Sequence, residues 1–209
     1  MRRPVWRSFR ARFLPQAVAH VRAGGHAVVV DPTGLAEALL PVDGQGMVTD
    51  LGLWALLAIG QQHWERVTAG EAEGLARAVI EESNVSSVLD WCERDGVHEG
   101  ATRKLQLNCT ACAACCHDGD VVLTERDLAR FREAGRPDLA GRGFVRRSRE
   151  GKRTLRMAPG GRCKLLAEDR LCTVYKLRPD NCRAFLMGSE ACLAAREETL
   201  GLRDGAPLG

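Results

Sequence analysis

The stretch from Cys109 to Cys192 constrains this chain most, because it holds eight of the nine cysteines in 209 residues. It opens Cys109-Thr-Ala-Cys112-Ala-Ala-Cys115-Cys116 and continues through Cys163, Cys172, Cys182 and Cys192. Free thiolates oxidise, exchange and scavenge metals, so eight of them crowded together need a common purpose. Two residues between cysteines let the backbone turn once and present both sulfurs to one side. That spacing occurs twice in succession, at Cys109/Cys112 and Cys112/Cys115. A four-sulfur site needs its ligands within about 4 Å of one another, since Zn–S is about 2.3 Å. Cys116 diverges from its neighbour Cys115, so it is expected to serve a second metal or to bridge two. Eight thiols allow two four-sulfur sites, one polynuclear site, or one site with spare redox thiols. The spacing does not choose between them.

Other uses of cysteine fit less well. A c-type haem needs Cys-x-x-Cys-His, and His117 follows one position too late. A disulfide framework suits a secreted chain, whereas the basic start, Met1 to Arg12, is followed by no apolar core of a secretory signal. The most apolar run, Leu51 to Gly60, is too short to cross a bilayer. The expectation is a cytoplasmic protein that does not enter the membrane, with metal rather than disulfides at the cysteines. Residues 1–100 carry 9 Lys+Arg against 13 Asp+Glu, and residues 101–209 carry 21 against 14. A basic half can signal nucleic acid. Here Arg162, Lys164, Arg170, Lys176, Arg178 and Arg183 are interleaved with the cysteines, where they would balance thiolate charge. With one Tyr, four Trp and five Phe there are few rings for bases to stack on, which argues against nucleic acid.

Local patterns give a coarse map. Residues 1–24 read as a basic arm followed by a short helix closed by Gly24-Gly25. His26–Val30 reads as a buried strand, and Asp31-Pro-Thr-Gly34 as a turn into a brief helix, Leu35 to Leu40. Further helices are expected after Thr49 or Asp50, from a Thr68/Glu71 capping box to about Glu82, and over Val88 to Arg94. Cys92 in the last of these reads as a small buried hydrophobe outside the site. Thr102 to Asn108 and Val121 to Leu123 read as strands, and Thr124 caps a helix ending near Gly135. Arg142 to Arg156, with seven basic residues against Glu150, reads as an exposed hairpin that could grip an acidic partner. A second hairpin joins Cys163 to Cys172. Ser189 caps a closing helix with Cys192 in its first turn, where the helix dipole favours a thiolate. Tyr175 reads as a core residue, and His117 and Asp118 as an exposed loop.

The residues Cys109, Cys112, Cys115 and Cys116, then Cys163 with Leu165, Cys172 with Val174 and Tyr175, and Arg178, Pro179, Cys182, Arg183 and Phe185 resemble the YkgJ-type cysteine-cluster domain, over about residues 100–195. That family is described as zinc- or iron-chelating. The resemblance departs at Ala113, where the family usually has Gly, and at Asp169-Arg170, a turn that commonly contains Gly. It implies metal binding, with Arg178 and Arg183 bonding to sulfurs or to carbonyls around the ligands. The same cluster is found in flagellin lysine methylases, but no glycine-rich loop that would cradle a methyl donor follows a strand here, so that activity is not carried over. More weakly, residues 25–95 resemble the winged-helix modules of the PqqD type, which bind leader segments of modified peptides.

The expected architecture is α+β. A small metal-stabilised cysteine-rich domain of short hairpins and helices, residues 99–200, follows a mostly helical, winged-helix-like region over residues 25–98. The expected metal ligands are Cys109, Cys112, Cys115, Cys116, Cys163, Cys172, Cys182 and Cys192. The cofactor is an iron–sulfur cluster or zinc, which thiolate softness does not separate. The site would support a redox or a peptide- or protein-modifying reaction. The alternative is a leader-peptide-binding accessory with a purely structural zinc.

Overall fold

A computed structural model describes residues 1–46, 48, 64–117 and 119–204. The helix expected after Thr49 or Asp50 lies outside the described residues, as does Asp118. Helices and strands both contribute, giving an α+β chain. It divides into two compact units, one of residues 1–106, 188–191 and 203–209, the other of residues 107–187 and 192–202. Among the described residues no helix is long and apolar enough to cross a membrane.

The first unit is built on strands. β1 (Arg2–Pro4), β2 (Trp6–Arg10), α1 (Leu14–Arg22), β3 (His26–Val30), β4 (Ala36–Leu40), β5 (Glu65–Arg66), β6 (Ala76–Val79), α2 (Glu82–Asp95) and β7 (Thr102–Lys104) follow in order. Five strands form a sheet in the order β2-β3-β4-β6-β5, in which β2 and β3 are parallel and the other neighbours antiparallel. The parallel pair needs a crossover, and α1 supplies it. Alternation along the strands then separates two cores. Trp6, Val28, Ala38 and Leu40 pack with Val88 and Cys92 of α2. Ala27, Val29 and Leu39 point the other way, onto Ala17, Val18 and Val21 of α1. Cys92 sits inside the first of these cores, where burial pushes its thiol up to about 12, so it behaves as a core residue.

Several expectations for this half are corrected. Residues 2–10 are two strands, not a basic arm: β1 pairs with β7 and β2 with β3. Leu35–Leu40 is not a helix. Asp31 Oδ1 accepts bonds from Thr33 N (2.8 Å), Thr33 Oγ1 (2.7 Å) and Leu35 N (3.0 Å), and Gly34 sits at φ +94°. That fixes a tight turn and returns Ala36–Leu40 antiparallel to β3. The helix expected to reach Glu82 is instead a turn followed by β6, with Ala76 and Ala78 buried and Val79 exposed. The helix expected over Val88–Arg94 is longer, Glu82–Asp95. Among its described residues this unit is organised by a mixed sheet. Among those residues it is not mostly helical.

Its charged interior is also ordered. Arg3 and Arg103 face each other across β1 and β7. Asp95, 2 % exposed, accepts Arg3 Nη1 at 2.6 Å, Arg103 Nη1 at 2.6 Å and the Trp6 amide at 2.9 Å. Arg3 also pairs with the fully buried Glu190. Two like charges placed opposite each other are tolerated because carboxylates stand between and beside them.

The second unit contains α3 (Cys109–Cys112), α4 (Glu125–Glu133), a two-stranded hairpin of β8 (Val145–Arg147) and β9 (Arg153–Leu155), and α5 (Asp180–Ala184). Most of α6 (Glu190–Leu200) also belongs to it. Its core gathers Leu123, Leu128, Phe131, Leu139, Val145, Leu155, Leu165 and Val174, with Cys163 and Cys172 packed at the edge. The cap at Thr124 and the hairpin within Arg142–Arg156 form as expected.

Candidate metal centre

The cysteines of this unit are positioned by local devices. Cys109–Cys112 make a single helical turn, which Ala113 ends by adopting a left-handed conformation, φ +55°. The chain then re-enters a 3₁₀ turn, Ala114–Cys116. This reversal explains why the doubled spacing does not put Cys109, Cys112 and Cys115 along one continuous helical face. Cys163 arrives alongside, because its amide donates to the Cys116 carbonyl (2.8 Å) and Arg162 bridges His117. Cys172 lies opposite Leu166 in the next bridge, closed by a turn with Arg170 at φ +63°. Cys182 is carried by α5.

Six of these thiols, Cys109, Cys115, Cys116, Cys163, Cys172 and Cys182, line one cavity of about 500 Å³. Its walls are otherwise largely apolar, with Leu155, Leu165, Leu166, Val174 and Phe185, while Arg170 and Arg178 supply positive charge. Cys112 does not line it: its sulfur accepts a bond from Arg196 Nη1 of α6 at 3.0 Å. Cys192 does not line it either. Among the described residues no three Cys, His, Asp or Glu side chains stand close enough to share one ion.

The thiols differ electrostatically. The Cys116 S–H bonded to Cys115 holds the Cys115 thiol below its usual range, helped by Arg178. The same bond, with burial, pushes Cys116 up. Partial burial of the sulfur raises Cys109 although the residue is exposed, and burial raises Cys163. Burial, then Cys163, Cys115 and Cys172, push Cys182 up to about 12. Cys115 is therefore biased towards the thiolate, whereas Cys109, Cys116, Cys163 and Cys182 are biased towards the protonated thiol.

Arg178 and Arg183 occupy different positions. Arg178 lies over the Tyr175 ring at 3.9 Å and lowers the thiols of Cys109, Cys115 and Cys182 through its charge. Arg183 touches no sulfur in any recorded bond. It donates to the carbonyls of Arg178 (2.9 Å) and Lys176 (2.6 Å), fastening the turn that precedes Cys182. Tyr175 is half exposed, not a core residue: the apolar positions of its segment are Val174 and Leu177, and its ring is the platform for Arg178. His117 Nδ1 lies 3.2 Å from the Ala113 carbonyl.

Residues missed in the sequence hold this turn. Asp127, fully buried, caps α4 with Thr124 and accepts the Asp180 amide at 2.9 Å. Arg130 donates to Asp127, to Asp180 (2.6 Å) and to the Arg178 carbonyl (3.0 Å). The capping box was the available signal: Thr124-x-x-Asp127 marks a carboxylate held at a helix start. Its second partner, Asp180, is 53 residues away in sequence and leaves no local trace.

Residues 108–199 match the family described as "CxxCxxCC: Putative zinc- or iron-chelating domain". This stretch is similar to that domain. No curated protein and no solved structure gives a significant match to the chain. The description names zinc or iron, and a lining of six thiols with the single carboxylate of Asp120 among the described residues fits either. Within this stretch, Ala113 and Arg170 are the two non-glycine residues at positive φ among the described residues. Both fall where the family resemblance calls for Gly.

Proposed function

We propose that the CxxCxxCC domain binds zinc or an iron–sulfur cluster through cysteine thiolates. Cys109, Cys115, Cys116, Cys163, Cys172 and Cys182 supply the donors at the cavity, and Cys112 and Cys192 act beside it. The observation that supports this most is that six cysteines from separate segments line a single cavity. Each thiol has one side-chain rotation with which to close on an ion. Cys115, already biased to the thiolate by Cys116 and Arg178, is the first anchor. Arg178 then balances charge beside Cys109, Cys115 and Cys182, and Arg183 keeps the turn in register. An iron–sulfur cluster would bring electron transfer to this site; zinc would bring structure or Lewis acidity.

The test is anaerobic purification with metal analysis and visible absorption. Iron with sulfide and broad visible absorption identifies a cluster, and colourless protein with stoichiometric zinc identifies a zinc site. Cys116→Ser is expected to lose most of the bound metal. Full metal content in that variant would contradict the assignment.

A further inference from the structure

The cavity of the second unit is larger than a metal centre needs. Sulfurs about 2.3 Å from an ion enclose on the order of 50 Å³, so the four irons of a [4Fe–4S] cluster take roughly 200 Å³. The cavity holds about 500 Å³. The space left over, roughly 300 Å³, is that of a small-ligand pocket. Its walls are Leu155, Leu165, Leu166, Val174 and Phe185, none of which can hold a metal. Leu171 and Tyr175 continue the apolar lining outward, where they are 44 % and 50 % exposed. Apolar surface that runs from a cavity to its mouth and is rimmed by charge suits a ligand with an apolar body.

Arg170 also lines this cavity, from the turn of the hairpin joining Cys163 to Cys172. It sits at φ +63°, a left-handed conformation that costs a residue with a side chain more than it costs glycine. Arg170 is exposed, and no carboxylate pairs with it among the described residues. Its neighbour Asp169 accepts the Leu171 amide at 3.0 Å, and Asp120, the carboxylate of the lining, faces Arg146 at 3.8 Å. Arg178, the other cation of the lining, is stacked on Tyr175 and carries its charge to Cys115 and Cys182. Arg170 is therefore the lining cation with no such engagement.

We propose that the cavity takes a small organic anion with an apolar body, its carboxylate on Arg170 and its chain running along Leu166, Leu171 and Val174 toward the thiols. A guanidinium matches a carboxylate with two parallel bonds. At about 30 Å³ for each non-hydrogen atom, as for water in the liquid, roughly 300 Å³ accommodates about ten atoms, the size of an eight-carbon acid. The inference rests on the metal-site reading, in which the metal takes the thiol end and leaves the apolar end to the ligand.

Calorimetric titration of octanoate into the full chain, purified anaerobically and loaded with metal, tests this, with metal content measured on the same samples. Octanoate is expected to bind at a single site. Butanoate should bind at least tenfold more weakly, because four fewer methylenes meet the apolar wall. Octan-1-ol, which lacks the charge, should bind roughly tenfold more weakly. Arg170→Gln should lower octanoate affinity by a similar factor, whereas Arg170→Lys should keep most of it. The proposal is overturned by equal affinity of butanoate or octan-1-ol, by equal octanoate affinity of the folded, metal-loaded Arg170→Gln chain, or by a loss in Arg170→Lys as large as in Arg170→Gln. A metal-loaded chain that does not bind octanoate contradicts this inference alone. A chain that takes up neither zinc nor iron contradicts the metal-site reading, and this inference falls with it.

Discussion

The two units solve the same problem of internal charge in opposite ways. In the first, a five-stranded sheet buries apolar side chains on both faces, and each buried arginine of the β1–β7 pair meets a carboxylate. In the second, one apolar core lies against a cavity lined by six thiols, of which Cys116 and Cys182 are pushed up by burial and by neighbouring thiols. The first unit thus balances its charge with its own residues, whereas in the second, on the proposed reading, a bound cation would do so. The difference teaches where metal should matter: to the cysteine segments, and not to the sheet.

All four tryptophans lie in the first 91 residues, so tryptophan fluorescence reports the first unit while metal content reports the second. The largest effect should come from Asp95→Ala. It leaves Arg3 and Arg103 buried without their shared carboxylate, at a cost of about 3–5 kcal/mol. Urea unfolding followed by tryptophan fluorescence should show it; a loss below about 1 kcal/mol would mean the charges do not need each other. Next, Asp127→Ala removes the cap of α4 and the acceptor of the Asp180 amide, costing about 2–3 kcal/mol. It should weaken metal retention while leaving the tryptophan transition in place.

His26, buried against Trp6, gives the sheet an acid dependence of its own. Burial holds its pKa down to about 3 against an ordinary 6.5. Between those values the unfolded chain binds a proton that the folded chain does not. Stability is therefore full above about 6.5 and falls on acidification through that window, by at most about 1.4 kcal/mol per pH unit. His26→Gln should flatten the tryptophan-detected slope. The smallest effect is a gain: Ala113→Gly relieves a left-handed alanine and should stabilise the cysteine unit by up to about 1 kcal/mol, seen as a raised denaturation midpoint.

What could be read from the sequence follows the same division. Thr124, the basic hairpin and the cysteine spacing are local signals, and each marks its element without help from distant residues. The sheet was hidden because its strands borrow their conformation from partners. Ala36-Glu-Ala-Leu-Leu40 consists of helix formers and becomes a strand only by pairing with β3 and β6. Trp6–Arg10 buries Trp6 but exposes Ser8 and Arg10, and three basic or hydroxylated positions in five disguise it as a tail. At the site, the thiols were legible as residues, whereas the splitting of Cys112 from Cys115 depends on one backbone angle at Ala113.

Differential alkylation tests the central claim most directly. The protein is labelled with and without bound metal, and each cysteine is read by mass spectrometry. Metal should protect Cys109, Cys115, Cys116, Cys163, Cys172 and Cys182, all six reverting to reactivity on chelation, while Cys92 stays unreactive in both states. Equal labelling of those six with and without metal would contradict the account.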